Sequence, residues 1–359
     1  MNPTIAAAVS GGVDSLVAAH LLKQDDPRVV LVHFRTGFEL DPVERTLARI
    51  QSIGAQLDLP VHVLDLSTDF RREVVDYFAA TYLAGQTPNP CVVCNPAIKF
   101  GALLRRAEAF GATRLATGHY AEVRRDPSGR CRLFKGIDAR KDQSYFLARL
   151  TQDQLARACF PLAGLTKAAV REIAAAEGLV PVTSEESQDV CFIKAGAYHE
   201  FIAELTGRPA EAGLIETTDG TIVGSHPGLQ AFTVGQRRGI NCPAAEPYYV
   251  VRLDRERNRL VVGHKNEILT AQCRVTRINW IAPPPGAALR VAARVRYRTP
   301  ETPATVVPID ADSAWLRFDA PQPAVTPGQA AVFYDGIEVL GGGFIAQQQD
   351  AGCEIRDTG

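Results

Sequence analysis

The residues best suited to chemistry in this chain are three cysteines and one six-residue loop. Cys91 and Cys94 form a C-x-x-C with Pro90 immediately before it and Asn95 immediately after. Two thiols at that spacing can share a metal, close a disulfide, or act as nucleophile and resolver. A tetrahedral structural zinc would call for a second C-x-x-C or a His pair, and none exists. Cys191 follows the polar run Ser187-Gln188-Asp189 and leads into Phe192-Ile193, the pattern of a loop entering a strand. Taken alone it reads as a small buried hydrophobe, the usual state of a free cysteine. So do Cys159, in a helix-like apolar pattern, and Cys273, in a strand-like one.

The loop is Ser10-Gly11-Gly12-Val13-Asp14-Ser15, set between an apolar run and a helical pattern. Backbone N–H groups of a Ser/Gly turn at a helix N-terminus converge on an anion, and the glycines let a phosphate approach without a Cβ clash. The loop is neither G-x-x-x-x-G-K-[ST] nor G-x-G-x-x-G, which excludes a Walker A loop and the dinucleotide fingerprint. A tight turn needing only Ser10 as a cap would not require six such residues.

The elements around these residues follow from the periodicity. Ile5 to Val9, Val29 to Phe34 and Val61 to Asp65 read as strands, and the segments to Lys23 and from Val43 to Leu57 as helices between them. Repeated strand-helix-strand units imply an α/β fold with a parallel sheet covered on both faces. Helices are also expected over Phe70 to Leu83 and Ile98 to Phe110, with a strand near Arg114 to Thr117 and a hairpin from Glu122 to Lys135. Between the two helices, Gly85-Gln86-Thr87-Pro88-Asn89-Pro90 reads as an irregular loop carrying the C-x-x-C. From about residue 212 short runs such as Tyr248 to Leu253, Leu289 to Tyr297 and Gln329 to Tyr334 indicate small antiparallel barrels. The expected division is 1–200, 201–270 and 271–348, with 349–359 as a tail.

Taken together, the loop, Asn89-Pro90-Cys91-Val92-Val93-Cys94-Asn95, Ile98-Lys99-Phe100, Ala116-Thr117-Gly118-His119-Tyr120, Lys141-Asp142-Gln143-Ser144-Tyr145-Phe146 and Cys191-Phe192-Ile193 occur in one order. The loop resembles that of the PP-loop ATP pyrophosphatases, which split ATP between the α and β phosphates. The whole set resembles the tRNA-specific 2-thiouridylase family, from residue 4 to about 346, including Gly235-Gln236-Arg237-Arg238-Gly239, Arg296-Tyr297-Arg298 and Thr326-Pro327-Gly328-Gln329. The resemblance implies that ATP adenylates the C2 oxygen of a wobble uridine and that a persulfide sulfur displaces AMP. It makes Cys191 the persulfide carrier and Cys94 the partner nucleophile, with a Cys94–Cys191 disulfide as the product of their exchange. Ala8, Val9, Ser10, Gly11, Gly12, Val13, Asp14, Ser15, Phe34 and Gly118 would line the ATP site, with Asp14 helping to hold Mg²⁺. Asn89, Pro90 and Cys91 would face the target base, and Lys141, Asp142, Gln143, Arg296 and Tyr297 would touch the tRNA. A cysteine desulfurase or a sulfur-relay protein would supply the sulfur.

The chain departs from the family pattern in three places. Leu16 stands where many relatives have a second serine, Cys91 where many have Asp, and the segment Thr36 to Glu44 is short. A thiol with an ordinary pKa near 8.5 substitutes poorly for a carboxylate as acid or base. Cys91, Cys94 and Cys191 also make three thiolates around an open position, the ligand set of a [4Fe–4S] cluster.

The whole chain is close to neutral, with 39 basic against 40 acidic residues, so RNA would have to be met by a local patch. From Leu229 to Pro300 there are 13 Lys/Arg against 4 Asp/Glu. On a strand, Arg294, Arg296 and Arg298 would share one face, and Tyr297 beside them offers a ring on which an unpaired base can stack. His119 reads as a hydrogen-bonded strand-end histidine without a catalytic role. Eight cysteines in 359 residues are too few for a disulfide scaffold, and no apolar run is long enough to span a bilayer, so a cytoplasmic enzyme without a membrane partner is expected. Three other readings are an Fe–S-dependent thiolase of another uridine or RNA, another PP-loop ligase that delivers ammonia or an amine, which needs no cysteines, and a non-enzymatic RNA-binding protein, which needs no intact phosphate loop.

Overall fold

The structure, a computed structural model, describes residues 4–25, 28–182, 190–193, 198–207 and 209–347. Its first sheet contains β1 (Thr4–Ala8), β2 (Val29–Arg35), β3 (Val61–Asp65), β4 (Ala112–Ala116) and, beyond the hairpin of β5 (Ala121–Arg125) and β6 (Cys131–Lys135), the short β7 (Ala158–Cys159). The order is β3-β2-β1-β4-β7 and every pairing is parallel. Strands buried on both faces carry unbroken apolar runs, as in the Ile5-Ala6-Ala7 stretch of β1. Connections leave in opposite directions on either side of β1 and β4, so the crevice at their carboxyl ends is the expected ligand site.

The helices α1 (Val13–Asp25) and α2 (Val43–Leu57) match their expected positions, and α2 buries Ile50, Ile53, Gly54 and Leu57, one stripe of a 3.6-residue period. Residues 67–83 form α3, with a π-helical stretch at Arg71–Val75. Residues 90–107 form α4, with a π-helical stretch at Asn95–Leu103. Two later helices matter to the site, α5 (Lys167–Ala176) and α6 (Tyr198–Thr206). Cys159 ends β7 rather than sitting in a helix, because its segment adds an edge to β4.

The second half has two β units. β8 (Gly213–Thr217), β9 (Ile222–His226), β10 (Tyr249–Asp254) and β11 (Arg259–Gly263) are ordered β10-β11-β8-β9, and the β11–β8 pair is parallel rather than antiparallel. β12 (Leu269–Trp280), β13 (Leu289–Arg294), β14 (Thr302–Pro308), β15 (Ala314–Pro323), β16 (Ala330–Asp335) and β17 (Glu338–Ile345) form an antiparallel sheet that closes into a barrel through β12–β17 pairing. Closure removes the exposed edges. β17 also pairs with β6, Glu338 against Phe134 and Val339 against Leu133, so a hairpin from the first half extends the barrel sheet. Among the described residues no helix is long and apolar enough to cross a membrane.

Candidate active site

The Ser10–Ser15 loop leaves the carboxyl end of β1 and opens α1. Gly11 has φ +97°, a conformation glycine adopts without strain. The Ser10 N–H donates to Ser15 Oγ at 3.2 Å and Ser15 Oγ donates to the Gly12 carbonyl at 3.0 Å, which folds the loop back on itself. The first turn of a helix has no intrahelical partners for its N–H groups, so these remain directed at the crevice. Leu16 is fully buried in the core, which explains an apolar residue there in place of serine. From β4, Gly118 presses on the loop: a Cβ at this position would lie 2.8 Å from the Asp14 carbonyl carbon and the Ser15 nitrogen.

Asp14 is the charged member of the loop. Its carboxylate accepts from Lys167 Nζ at 2.7 and 2.8 Å and from the Tyr120 hydroxyl at 2.7 Å. The Lys167 side chain is 8% exposed and that of Asp14 32%. Lys167 is the first residue of α5, after the Thr166 cap, where the helix dipole disfavours a cation. That misplaced charge is the sequence signal that could have revealed it.

The C-x-x-C does not lie in the irregular loop. Pro90 takes the first position of α4, where its missing N–H costs nothing, and the Asn89 side chain accepts from Val92 N–H at 3.4 Å as the cap. Cys91 and Cys94 therefore stand in the first turn, with Cys91 exposed and Cys94 half-buried. Cys191 lies in a turn rather than at the start of a strand, anchored by buried Phe192, whose ring packs edge-on against Phe70 and Phe78 at 5.4 Å. Ser187, Gln188 and Asp189 lie outside the described residues, as does the segment 349–359.

Lys99, on the π-helical stretch of α4, connects these parts. Its Nζ is 3.4 Å from His119 Nε2, and His119 Nδ1 is 2.7 Å from Thr117 Oγ1. Burial and the neighbouring Lys99 hold His119 well below its ordinary pKa, so the neutral ring accepts from Lys99 and donates to Thr117. Burial pushes the Cys94 thiol up to about 12, with Lys99 opposing and Cys191 and Cys91 adding to the rise. Cys191 keeps an exposed surface, yet the protein around it raises its thiol too, again against the pull of Lys99. Both thiols are thus neutral at neutral pH. Alkylation of Cys94 by iodoacetamide, followed by mass spectrometry, should accelerate about tenfold per unit between pH 7 and 9, and Lys99→Met should slow it. A plateau below pH 8 would contradict this.

The irregular loop is fixed by the barrel. Gln329 donates to the carbonyls of Thr87 and Pro88 at 3.2 and 2.9 Å, and the Thr87 N–H donates to the Pro327 carbonyl at 2.9 Å. Asp142 is only 4% exposed; it accepts from the Gly136 and Ser144 N–H groups and pairs with Arg294, so it shapes its segment from within. Gln143 accepts from the Tyr120 N–H at 3.1 Å, while Lys141 is half-buried beside them. β13 ends at Arg294, so Arg296 and Arg298 do not continue one strand face with it: a turn closed by Thr299 N–H on the Arg296 carbonyl precedes Pro300. Tyr297, in that turn, donates to the Asp142 carbonyl and packs on Phe146 at 4.3 Å.

Asp14 fits a magnesium role, being a partly exposed carboxylate at the mouth of the phosphate loop. The three cysteines do not fit an iron–sulfur cluster as placed: among the described residues no three Cys, His, Asp or Glu side chains converge to hold a metal.

Residues 3–195 match the family described as tRNA methyl transferase HUP domain, 199–264 the tRNA methyl transferase PRC-barrel domain and 270–345 the aminomethyltransferase beta-barrel domain. The chain is 52% identical over 344 residues to the tRNA-specific 2-thiouridylase MnmA of Desulfosudis oleivorans, covering 96% of this chain and 95% of that protein. It is 42% identical over 353 residues to the MnmA of Geotalea uraniireducens, covering 95% and 94%. It is 44% identical over 351 residues to that of Synechococcus sp. (strain JA-2-3B'a(2-13)), covering 96% and 94%. With this likeness running nearly end to end and through all three β-rich and α/β parts, the chain belongs to the MnmA family of tRNA-specific 2-thiouridylases.

Proposed function

We propose that this protein converts the wobble uridine of tRNA to 2-thiouridine, using ATP to activate the C2 oxygen and a cysteine persulfide to deliver sulfur. One observation carries the reading: Gly118 packs against the phosphate loop while the next residue, His119, holds Lys99 beside Cys94 and Cys191. The segment after β4 therefore links a loop suited to a nucleotide with a pair of thiols, which supports the reading. Sulfur transfer needs both, whereas amide formation needs no thiol and methyl transfer needs neither.

A uridine carbonyl oxygen is a poor leaving group until it is adenylated, a step that releases pyrophosphate. The loop amides and Lys167 place positive charge where negative charge develops on phosphorus. When bound, Mg²⁺ would neutralise phosphate charge, and Asp14 is the residue here to hold it. The terminal sulfur of the Cys191 persulfide then attacks C2 and AMP departs. Cys94 as thiolate attacks the Cys191 sulfur, the S–S bond to the base-bound sulfur breaks, and 2-thiouridine leaves with a Cys94–Cys191 disulfide behind. A dithiol reductant reopens the disulfide, and a cysteine desulfurase or relay protein reloads the sulfur. Lys99 favours the thiolate at both cysteines, which burial otherwise disfavours. Cys91, exposed one turn before Cys94, is the residue of this turn open to an entering base, whereas Asn89 and Pro90 are buried and shape the turn beneath it.

The test is sulfur incorporation into unmodified tRNA, read as retarded migration in a mercury-containing gel, with ATP, cysteine and a desulfurase. A retarded band that requires ATP is expected. Pyrophosphate release without sulfur transfer would instead indicate a PP-loop ligase.

A further inference from the structure

Half-buried Arg149 and exposed Arg277 both approach the ring of Phe344, and neither has a role in the chemistry above. Both guanidiniums lie over the buried ring of Phe344, at 4.6 and 4.4 Å from its centroid. Their approach is built in by two independent features. Asn279, two residues beyond Arg277, donates to the carbonyls of Ala148 and Leu150 on either side of Arg149, at 3.1 and 2.9 Å. Arg277 itself has φ +52°, within the irregular stretch of β12 between Thr276 and Asn279. A left-handed conformation is strained at a residue with a side chain of this size, so the fold tolerates strain to aim it.

Among the described residues neither arginine forms an ion pair with a carboxylate, and Arg149 Nε is buried without a hydrogen-bond partner. Burial and the charge of Arg277 both act against the charged form of Arg149. Cation–π contact offsets this repulsion only in part. What the arrangement lacks is an anion. Its location narrows the choice: the Phe344 ring is 6.0 Å from that of Tyr77, whose hydroxyl accepts from the Asn89 N–H at 3.4 Å, directly before the C-x-x-C helix. The nucleotide phosphates have their own loop at the end of β1, so an anion held over Phe344, which is linked to Asn89 through Tyr77, would belong to the other substrate.

We infer that Arg149 and Arg277 form a clamp for a phosphodiester of the RNA backbone next to the nucleotide being modified. This rests on the proposed tRNA substrate. Guanidinium pairs suit such a phosphate through forked hydrogen bonds, and phosphate contacts fix register without reading sequence.

The test compares wild type, Arg149→Gln, Arg277→Gln and the double variant for tRNA binding by fluorescence anisotropy between 50 and 200 mM salt (roughly the range over which counterion release is resolved). The double variant should bind about tenfold more weakly, with the slope of log K against log salt reduced in magnitude by about 1–2. ATP affinity should not change, and Arg149→Gln should melt no lower than wild type because a repulsion is removed. Arg277→Lys, which keeps the charge, should retain the wild-type slope and guards against a folding defect at the strained position. Equal affinity and slope in the double variant, while wild type binds and thiolates tRNA, would overturn the clamp. So would unchanged tRNA binding with loss of the complex with a desulfurase, which would make the pair a protein-docking site. A wild type that neither binds nor thiolates tRNA would overturn the functional reading and the clamp with it.

Discussion

Cys191→Ser is expected to abolish sulfur incorporation into tRNA, by at least about 10³-fold, while tRNA-dependent release of pyrophosphate from ATP continues. The serine hydroxyl cannot carry a persulfide, but it leaves the phosphate loop, Gly118 and Lys167 untouched. Cys94→Ser should give the same loss of product by a different route. Sulfur delivered to Cys191 would still reach the base, but no thiolate would cleave the resulting S–S bond. Covalent enzyme–tRNA adduct should therefore accumulate in Cys94→Ser and not in Cys191→Ser, seen as a shifted, reductant-sensitive band on a denaturing gel. Loss of pyrophosphate release in either variant would show that the thiols act in activation as well. Cys91→Ala should be milder than both, since Cys91 is exposed and lies beside the exchanging pair.

The second large effect concerns the Asp14–Lys167 pair. Lys167→Met should weaken ATP binding about 10–100-fold, the range of a charge-assisted interaction of 1.5–3 kcal/mol, and leave tRNA affinity unchanged. It also leaves a carboxylate without its cation, so the variant should lose about 1–3 kcal/mol of stability to denaturant. Asp14→Asn keeps the Tyr120 contact and the shape of the loop but removes the charge, and should raise the Mg²⁺ concentration needed for pyrophosphate release. Isothermal titration with ATP and with AMP separates the effects: a phosphate role predicts a large loss for ATP and little for AMP. Equal losses for both would make Lys167 only a brace for the loop.

The first sheet was legible because its elements are local and strongly patterned. α2 and β3 begin and end where periodicity puts them, since Ile50, Ile53 and Leu57 face the core and β3 is a short apolar run. The C-x-x-C helix was missed because two prolines read as breakers, although Pro90 stands at the one helical position where proline is favoured. The basic strand around Arg296 was overextended, because alternation continued past Arg294 into residues that a turn before Pro300 takes out of the sheet. Within the site, the cysteines and the phosphate loop announce themselves by residue type. Lys99, Lys167 and Gln329 do not, for their roles arise from partners far away in sequence: Lys99 from His119, Lys167 from Asp14, Gln329 from Thr87 and Pro88. No periodicity reports such pairings.

The contact of Gln329 and Pro327 with the loop before the C-x-x-C has a consequence for synthesis on the ribosome. Cys91 and Cys94 emerge long before the residues that fix the loop ahead of them, and β6 likewise waits for β17. At about 5–20 residues per second the delay between Cys94 and Gln329 is roughly 10–50 s. The nascent polypeptide thus presents its dithiol while the loop ahead of it is still without its anchors, until Pro327 and Gln329 have emerged.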